Sequence, residues 1–190
     1  MDKFRRVVGI LLIIIGVVII GDVAYKKIIT LKKQKEIVEL FENGFSEGTS
    51  TEGATESSES VNLDEINGYK PIAIIEIPSI NLKLPVISTF DYDRLKIAPC
   101  IYYGSIETND LVICGHSYKN HFRYLKELKS GDIITITDMN SNTYYYEVAL
   151  VEILKPTEVL EMIESSFDLT LYTCTSDSRN RITVRCNRIK

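Results

Sequence analysis

The sequence predicts a mostly β domain, a closed barrel or sandwich of eight short strands with a few short helices, carried on an N-terminal apolar helix. Three observations predict it. From about Leu63 onward, eight short runs rich in β-branched residues are separated by turn residues. Val7 to Gly21 contains no charged residue. Between these regions, residues 44–62 are dominated by Ser, Thr, Gly and Glu, with almost nothing to bury.

Residues 1–25 read as a cytoplasmic tip and a membrane anchor. The uncharged stretch is shorter than the roughly 20 residues a spanning helix needs. Phe4 on one side and Val23, Ala24 and Tyr25 on the other extend it, while Arg5, Arg6 and Lys26 can reach the headgroups. No small-x-small cleavage pattern follows the run, which favours an uncleaved anchor over a signal peptide. Lys26, Lys27, Lys32, Lys33 and Lys35 after the span outnumber Lys3, Arg5 and Arg6 before it. By that count alone the C-terminal side would face the cytoplasm.

Residues 26–43 place Ile28, Leu31, Val38 and Phe41 among lysines at helical spacing, which predicts a helical stalk. A helix lying on the membrane surface is the alternative. Residues 44–62 predict a disordered linker that gives a tethered domain reach. Residues 63–190 predict the globular domain. Its strands are expected at 71–77, 82–87, 99–103, 110–115, 131–137, 143–154, 168–174 and 181–189, with a hairpin tip at Met139-Asn140-Ser141-Asn142. Short helices are expected at 91–97, 121–129 and 157–165.

A net charge of −4 argues against nucleic-acid binding, which wants a basic face. No C-x-x-C pair or His/Cys cluster suggests zinc or a redox motif. Of the four cysteines, Cys186 alternates with Ile182 and Val184 and reads as a small buried hydrophobe. Cys114 shares the alternation of His116 and is also expected to pack.

The chemistry-bearing pattern lies at three strand ends. Leu169-Thr170-Leu171-Tyr172-Thr173-Cys174 ends on a thiol, Val112-Ile113-Cys114-Gly115-His116 ends on an imidazole, and Arg181 opens the run Arg181-Ile182-Thr183-Val184-Arg185-Cys186. A thiol attacks a carbonyl only as thiolate. An imidazole can protonate a leaving amine and take the proton of an incoming one. A guanidinium keeps its protons and can only donate, to an oxyanion or to substrate backbone. Arg179 and Arg185 compete with Arg181 for that role. His121, in a polar stretch, reads as a loop or helix-start residue.

Thr170-Leu171-Tyr172-Thr173-Cys174, Gly115-His116 and Arg181-Ile182-Thr183-Val184 together resemble the sortases, membrane-anchored cysteine transpeptidases of Gram-positive bacteria. The resemblance covers roughly Tyr69 to Lys190. It implies an eight-stranded β-barrel, with Cys174, His116 and Arg181 catalytic and the domain outside the cell membrane. It further implies cleavage of an LPxTG-like sorting signal on surface proteins. The signal would then pass through a thioester to an amine of a cell-wall precursor or a pilin. An apolar pocket is expected for the leucine and proline of the signal. Ile101, Tyr102, Ile153, Leu154 and Val159 are its candidates by region, and Thr173 by adjacency to the nucleophile. No cofactor is expected. The family nevertheless raises calcium at Glu107, Asp110, Glu158, Glu161 and Glu164, for which a solvated acidic face is the plainer reading. The short 155–168 segment and the lack of a clear lid motif point to a class A-, D- or E-like architecture rather than B or C. Two rival functions use the same chain: a membrane-anchored cysteine peptidase, and a non-enzymatic surface-binding module.

Overall fold

The computed structural model describes residues 2–46 and 71–189. Its N-terminal segment is a single helix, α1 (Asp2–Ser46). Within it, the 23 residues Val7–Ile29 are apolar enough to cross a membrane. At 1.5 Å per residue they span about 34 Å, which matches a bilayer core. The helix continues through the expected stalk and past Asn43 to Ser46. Residues 47–62 of the expected linker lie outside the described residues, as do residues 63–70 of the expected domain.

The strands are β1 (Pro71–Ile77), β2 (Leu82–Ile87), β3 (Cys100–Tyr103), β4 (Leu111–Cys114), β5 (Ile133–Asp138), β6 (Thr143–Leu154), β7 (Leu169–Cys174) and β8 (Arg181–Arg188). They close into a barrel in the order β1-β2-β3-β4-β7-β8-β6-β5, with β5 pairing back onto β1. The eight expected strands all form, and closure resolves the choice between barrel and sandwich.

The helices differ more from expectation. α2 (Tyr92–Leu95) begins on Asp91, whose carboxylate accepts from the Asp93 and Arg94 amides at 2.8 and 3.3 Å. It ends where the Ile97 amide donates only three residues back, to the Arg94 carbonyl at 2.8 Å, and Pro99 follows before β3. The expected helix at 121–129 forms as a 3-10 helix, Phe122–Glu127. α3 (Val159–Ile163) is the ordered core of the expected 157–165 helix. At the β5–β6 tip, the Asp138 carboxylate accepts from the Asn140 and Asn142 amides at 2.8 and 2.9 Å, and Ser141 takes φ +68°.

The barrel interior follows from period-two alternation. Ile75, Ile77, Ile113, Ile134, Ile136, Leu169, Leu171 and Val184 fill it, with Tyr146 among them and Phe122 and Leu125 from the 3-10 helix. Each such aliphatic side chain contributes about 1.5–3 kcal/mol on burial. Cys186 is fully buried in the same cluster, as its alternation predicts.

Candidate active site

Three adjacent strands build the site. β4 runs parallel to β7, with Cys114 opposite Tyr172, and the Gly115 amide extends the ladder by donating to the Tyr172 carbonyl at 3.1 Å. β7 runs antiparallel to β8, with Cys174 directly opposite Arg181. The end of β4, the end of β7 and the start of β8 therefore lie on one edge of the barrel. Residues 112, 114 and 116 have the parity that points away from the core, as do 170, 172 and 174 on β7 and 181, 183 and 185 on β8. His116, Cys174 and Arg181 thus share one outer face, with Cys174 on the middle strand. Directly opposed residues such as Cys174 and Arg181 hold their Cβ atoms about 5 Å apart.

Local sequence explains how each is held. Gly115 has no freedom to be anything larger: a Cβ there would sit 2.6 Å from the Phe122 ring. That close approach lets the 116–121 loop fold back, and the Phe122 amide donates to the His116 carbonyl at 3.1 Å. Residues 175–180 join β7 to β8 in a self-bonded turn. The Thr175 amide donates to the Asn180 carbonyl at 3.0 Å, and the Thr175 hydroxyl donates to Asp177 at 2.6 Å. Ser178, at φ +60°, closes the turn.

The three competing arginines separate cleanly. Arg179 is exposed in the turn, 3.8 Å from Asp177. Arg185 is only 3% exposed and its guanidinium is committed to protein acceptors. Arg181 is half-buried, bonds only its neighbour's carbonyl (Asn180, 3.2 Å), and lines a cleft on the outer face.

The His116 ring stacks on Tyr118, with centroids 4.6 Å apart. Burial, and then the charge of Lys96, hold the His116 pKa below its ordinary value. His121, expected in a loop or at a helix start, does begin the 3-10 helix but is fully buried. Burial pushes its pKa down to about 4, against a hydrogen bond to the Ile97 backbone that favours the charged form. All four cysteines are free, and of these Cys174 is partly exposed while the other three are buried. Burial pushes the Cys100 and Cys114 thiols up to about 11 and about 12, so neither is a ready nucleophile.

The outer-face cleft beside Cys174 is lined by Tyr102, Lys155, Pro156, Glu158, Val159, Met162, Tyr172 and Arg181. The Tyr102 ring meets Tyr172 edge-on at 5.4 Å and Phe90 at 5.9 Å. Tyr102 and Val159 of the expected pocket residues line it. Leu154 lies just beneath, packed with Val112 and Met162. The others do not contribute side chains. Ile101 packs against the barrel core, and Thr173 points inward, buried, with its hydroxyl unpartnered. Ile153 pairs with the inward Ile182 and is 66% exposed at the barrel mouth. One residue of strand separates the useful face from the wrong one, and a choice by region does not resolve that. Tyr172 and Met162 are absent from the expected set. Alternation from Cys174 identifies Tyr172; nothing in the sequence places Met162.

The carboxylates raised for calcium do not assemble a site. Asp110 is occupied by the Ser105 amide at 3.1 Å and by the Thr108 hydroxyl. Glu158 accepts from the Lys155 amide at 2.7 Å. Among the described residues no three His, Cys, Asp or Glu side chains gather to hold a metal. A hard cation needs six or more converging oxygens, and these residues do not fit it.

A closed eight-stranded barrel carrying a free thiol, an imidazole and a guanidinium on one outer edge has the layout of a cysteine acyl-transfer enzyme. The chain belongs to the sortase family: residues 75–189 match the family model described as the sortase domain. The family makes it a cysteine transpeptidase. Solved structures agree in fold. A Clostridium perfringens sortase D5 transpeptidase superposes with a TM-score of 0.59 at 22% identity, covering 84% of this chain and 97% of that one. A lid mutant of sortase A from Corynebacterium diphtheriae gives 0.57 at 24% identity, covering 82% and 95%. Streptococcus pneumoniae sortase C gives 0.59 at 22%, covering 82% and 89%. Similar scores across lettered classes mean that the barrel alone does not assign a subclass. Among curated proteins, no match is found.

Proposed function

We propose that this chain is a membrane-anchored sortase that cuts an LPxTG-like sorting signal and joins the surface protein to an amine of a cell-wall precursor or pilin. The single observation supporting this reading is the strand register, which sets Cys174 opposite Arg181 and lays the end of β4, two residues before His116, beside β7. The Cys174 thiolate attacks the threonine carbonyl of the signal. Arg181 donates to the oxyanion as it forms. The tetrahedral intermediate collapses to a thioester, and His116 gives its proton to the departing amine of the C-terminal fragment. An acceptor amine then attacks the thioester, loses a proton to His116 and expels the Cys174 thiolate. The chemistry needs no cofactor.

The cleft of Tyr102, Tyr172, Val159 and Met162, which Lys155, Glu158 and Arg181 also line, receives the signal's apolar residues once it widens to admit them. The anchor is Val7–Ile29. The catalytic domain lies outside the membrane, because its substrates are there, despite the lysines that follow the span. The short 155–168 connection favours a class A-, D- or E-like enzyme.

The test uses the full chain in nanodiscs with a panel of LPxTG-like peptides, with and without an amine acceptor. Amine-dependent ligation that disappears in Cys174→Ala is the expected result. Cleavage without ligation would make it a peptidase. Binding without either, unchanged by Cys174→Ala, would make it a surface-binding module.

A further inference from the structure

Arg185 is the most heavily committed side chain on the outer face, and the reaction does not use it. It lies on β8 one face-repeat beyond Thr183 and is 3% exposed. Its Nε donates to the Glu152 carboxylate on β6 at 2.7 Å, and its Nη1 donates to the Thr170 hydroxyl on β7 at 2.9 Å. The same Nη1 donates to the Met162 carbonyl at 3.2 Å, and Nη2 donates to the Glu161 carbonyl at 2.5 Å. One guanidinium therefore ties two strands of the barrel wall to the backbone of α3.

Those two carbonyls belong to the last turn of a five-residue helix. Terminal carbonyls lack partners within a helix, and a cation there also opposes the helix dipole. Arg185 supplies both needs from a neighbouring strand. The other end of α3 is held lightly. Glu158 makes no side-chain cap, and its carboxylate is tied to Lys155, which is itself exposed. Val159 and Leu160 are exposed, whereas Met162 is buried against Thr183 and Leu154. The helix is thus pinned at its C-terminal end and loose at its N-terminal end.

We infer that Arg185 is a positioning residue for substrate recognition: it pins α3 so that Val159 and Met162 form one wall of the cleft beside Cys174 and Arg181. The cleft is narrow, about 40 Å³, which leaves room for only a few waters. A sorting signal enters by swinging the 155–160 segment outward about the fixed turn at Glu161 and Met162. Without the pin, the wall has no defined position and the free energy of ordering it is charged to substrate binding. This inference rests on the proposed function for its substrate but not for its geometry.

The experiment compares wild type, Arg185→Met, Arg185→Lys and Glu152→Gln in the full chain in nanodiscs. It reads hydrogen exchange of residues 159–164 against the strands β1, β2 and β5, and KM and kcat for peptide transfer to an amine. Arg185→Met is expected to speed exchange in 159–164 by about tenfold while the reference strands are unchanged. It is also expected to raise KM about tenfold with kcat within about threefold. Arg185→Lys keeps the charge but cannot reach four acceptors, and falls between; Glu152→Gln moves the same way by less. Unchanged exchange in 159–164 overturns the inference. So does faster exchange everywhere, which marks a residue of general stability, and so does loosening of α3 with no rise in KM. If Arg185→Met does not fold, the lysine variant gives the same readouts. A wild-type chain that processes no peptide defeats the proposed function and the recognition half of this inference; exchange still decides whether Arg185 holds α3.

Discussion

The two faces of the β4–β7–β8 wall are made by alternate residues of the same strands, and they could hardly differ more. The inner face carries Ile113, Leu169, Leu171, Thr173, Ile182, Val184 and Cys186, all buried. The outer face carries His116, Tyr172, Cys174, Arg181 and Arg185, beside Val112, Cys114, Thr170 and Thr183, which α3 and neighbouring segments cover. Two thiols, Cys174 and Cys186, lie on adjacent strands. One is partly exposed at the barrel edge; the other is fully buried, and burial raises its pKa. Composition does not distinguish them. Parity does, because a one-residue slip of register exchanges the faces. The lesson is that the proposed chemistry occupies only one side of a wall whose other side is ordinary core.

The largest expected effect is on the outer face. Cys174→Ala removes the proposed nucleophile and should lower transfer by at least about 10³-fold. Its melting temperature should stay near wild type, because a partly exposed edge side chain contributes little to stability. A large loss of stability would mean that the two faces are not separable in this way. Arg181→Ala is expected to cost about 10²–10³-fold in kcat, the usual effect of removing one oxyanion donor. Arg179→Ala, altering the exposed turn, should change the rate by less than about twofold. If the two results are reversed, the assignment by register is wrong.

The inner face should answer in stability instead. Leu171→Ala leaves a cavity in the barrel and should cost about 2–5 kcal/mol in denaturant unfolding. The activity of each folded molecule should survive. Within the loop behind His116, buried His121 should give the protein an acid limb of stability. Above pH 6.5 neither state binds the proton; between 6.5 and about 4 only the unfolded chain does, so stability falls as the pH falls. The full loss is about 3 kcal/mol, and His121→Gln should flatten the dependence in a pH series of melts. The smallest expected effect is electrostatic. Lys96 helps hold the His116 pKa down, so Lys96→Met should move the His116 titration, followed by NMR, to higher pH. Lys96 is exposed and paired with Asp93 at 2.7 Å, so added salt should shrink that difference. A shift to lower pH would show that Lys96 is not the neighbour that matters.

Much of this was legible from residue order. The strands are recognisable because β-branched alternation and turn residues are local properties, and the anchor because an uncharged run needs no partner to be noticed. The thiol, imidazole and guanidinium were marked by their places at strand ends. The helices were less legible. α2 and α3 are too short to carry a 3.6-residue period, and the 3-10 form of Phe122–Glu127 depends on packing under Gly115. The pocket was legible only in part. Tyr102 and Val159 line the cleft, while Ile101, Ile153 and Thr173, each next in sequence to an outward-facing residue, face elsewhere.

By itself, the sequence determined which residues could do chemistry, which stretches could become strands, and that an apolar helix precedes them. Tertiary structure alone decided that the barrel closes, that β4 lies parallel to β7 although 54 residues separate Cys114 from its neighbour's start at Leu169, and that Arg185 is spent on α3 while Arg181 faces the cleft. The physical reason is that side-chain chemistry and local propensity are written residue by residue. Strand register and the partners of a guanidinium are set by contacts between distant segments, and they exist only once the barrel has closed.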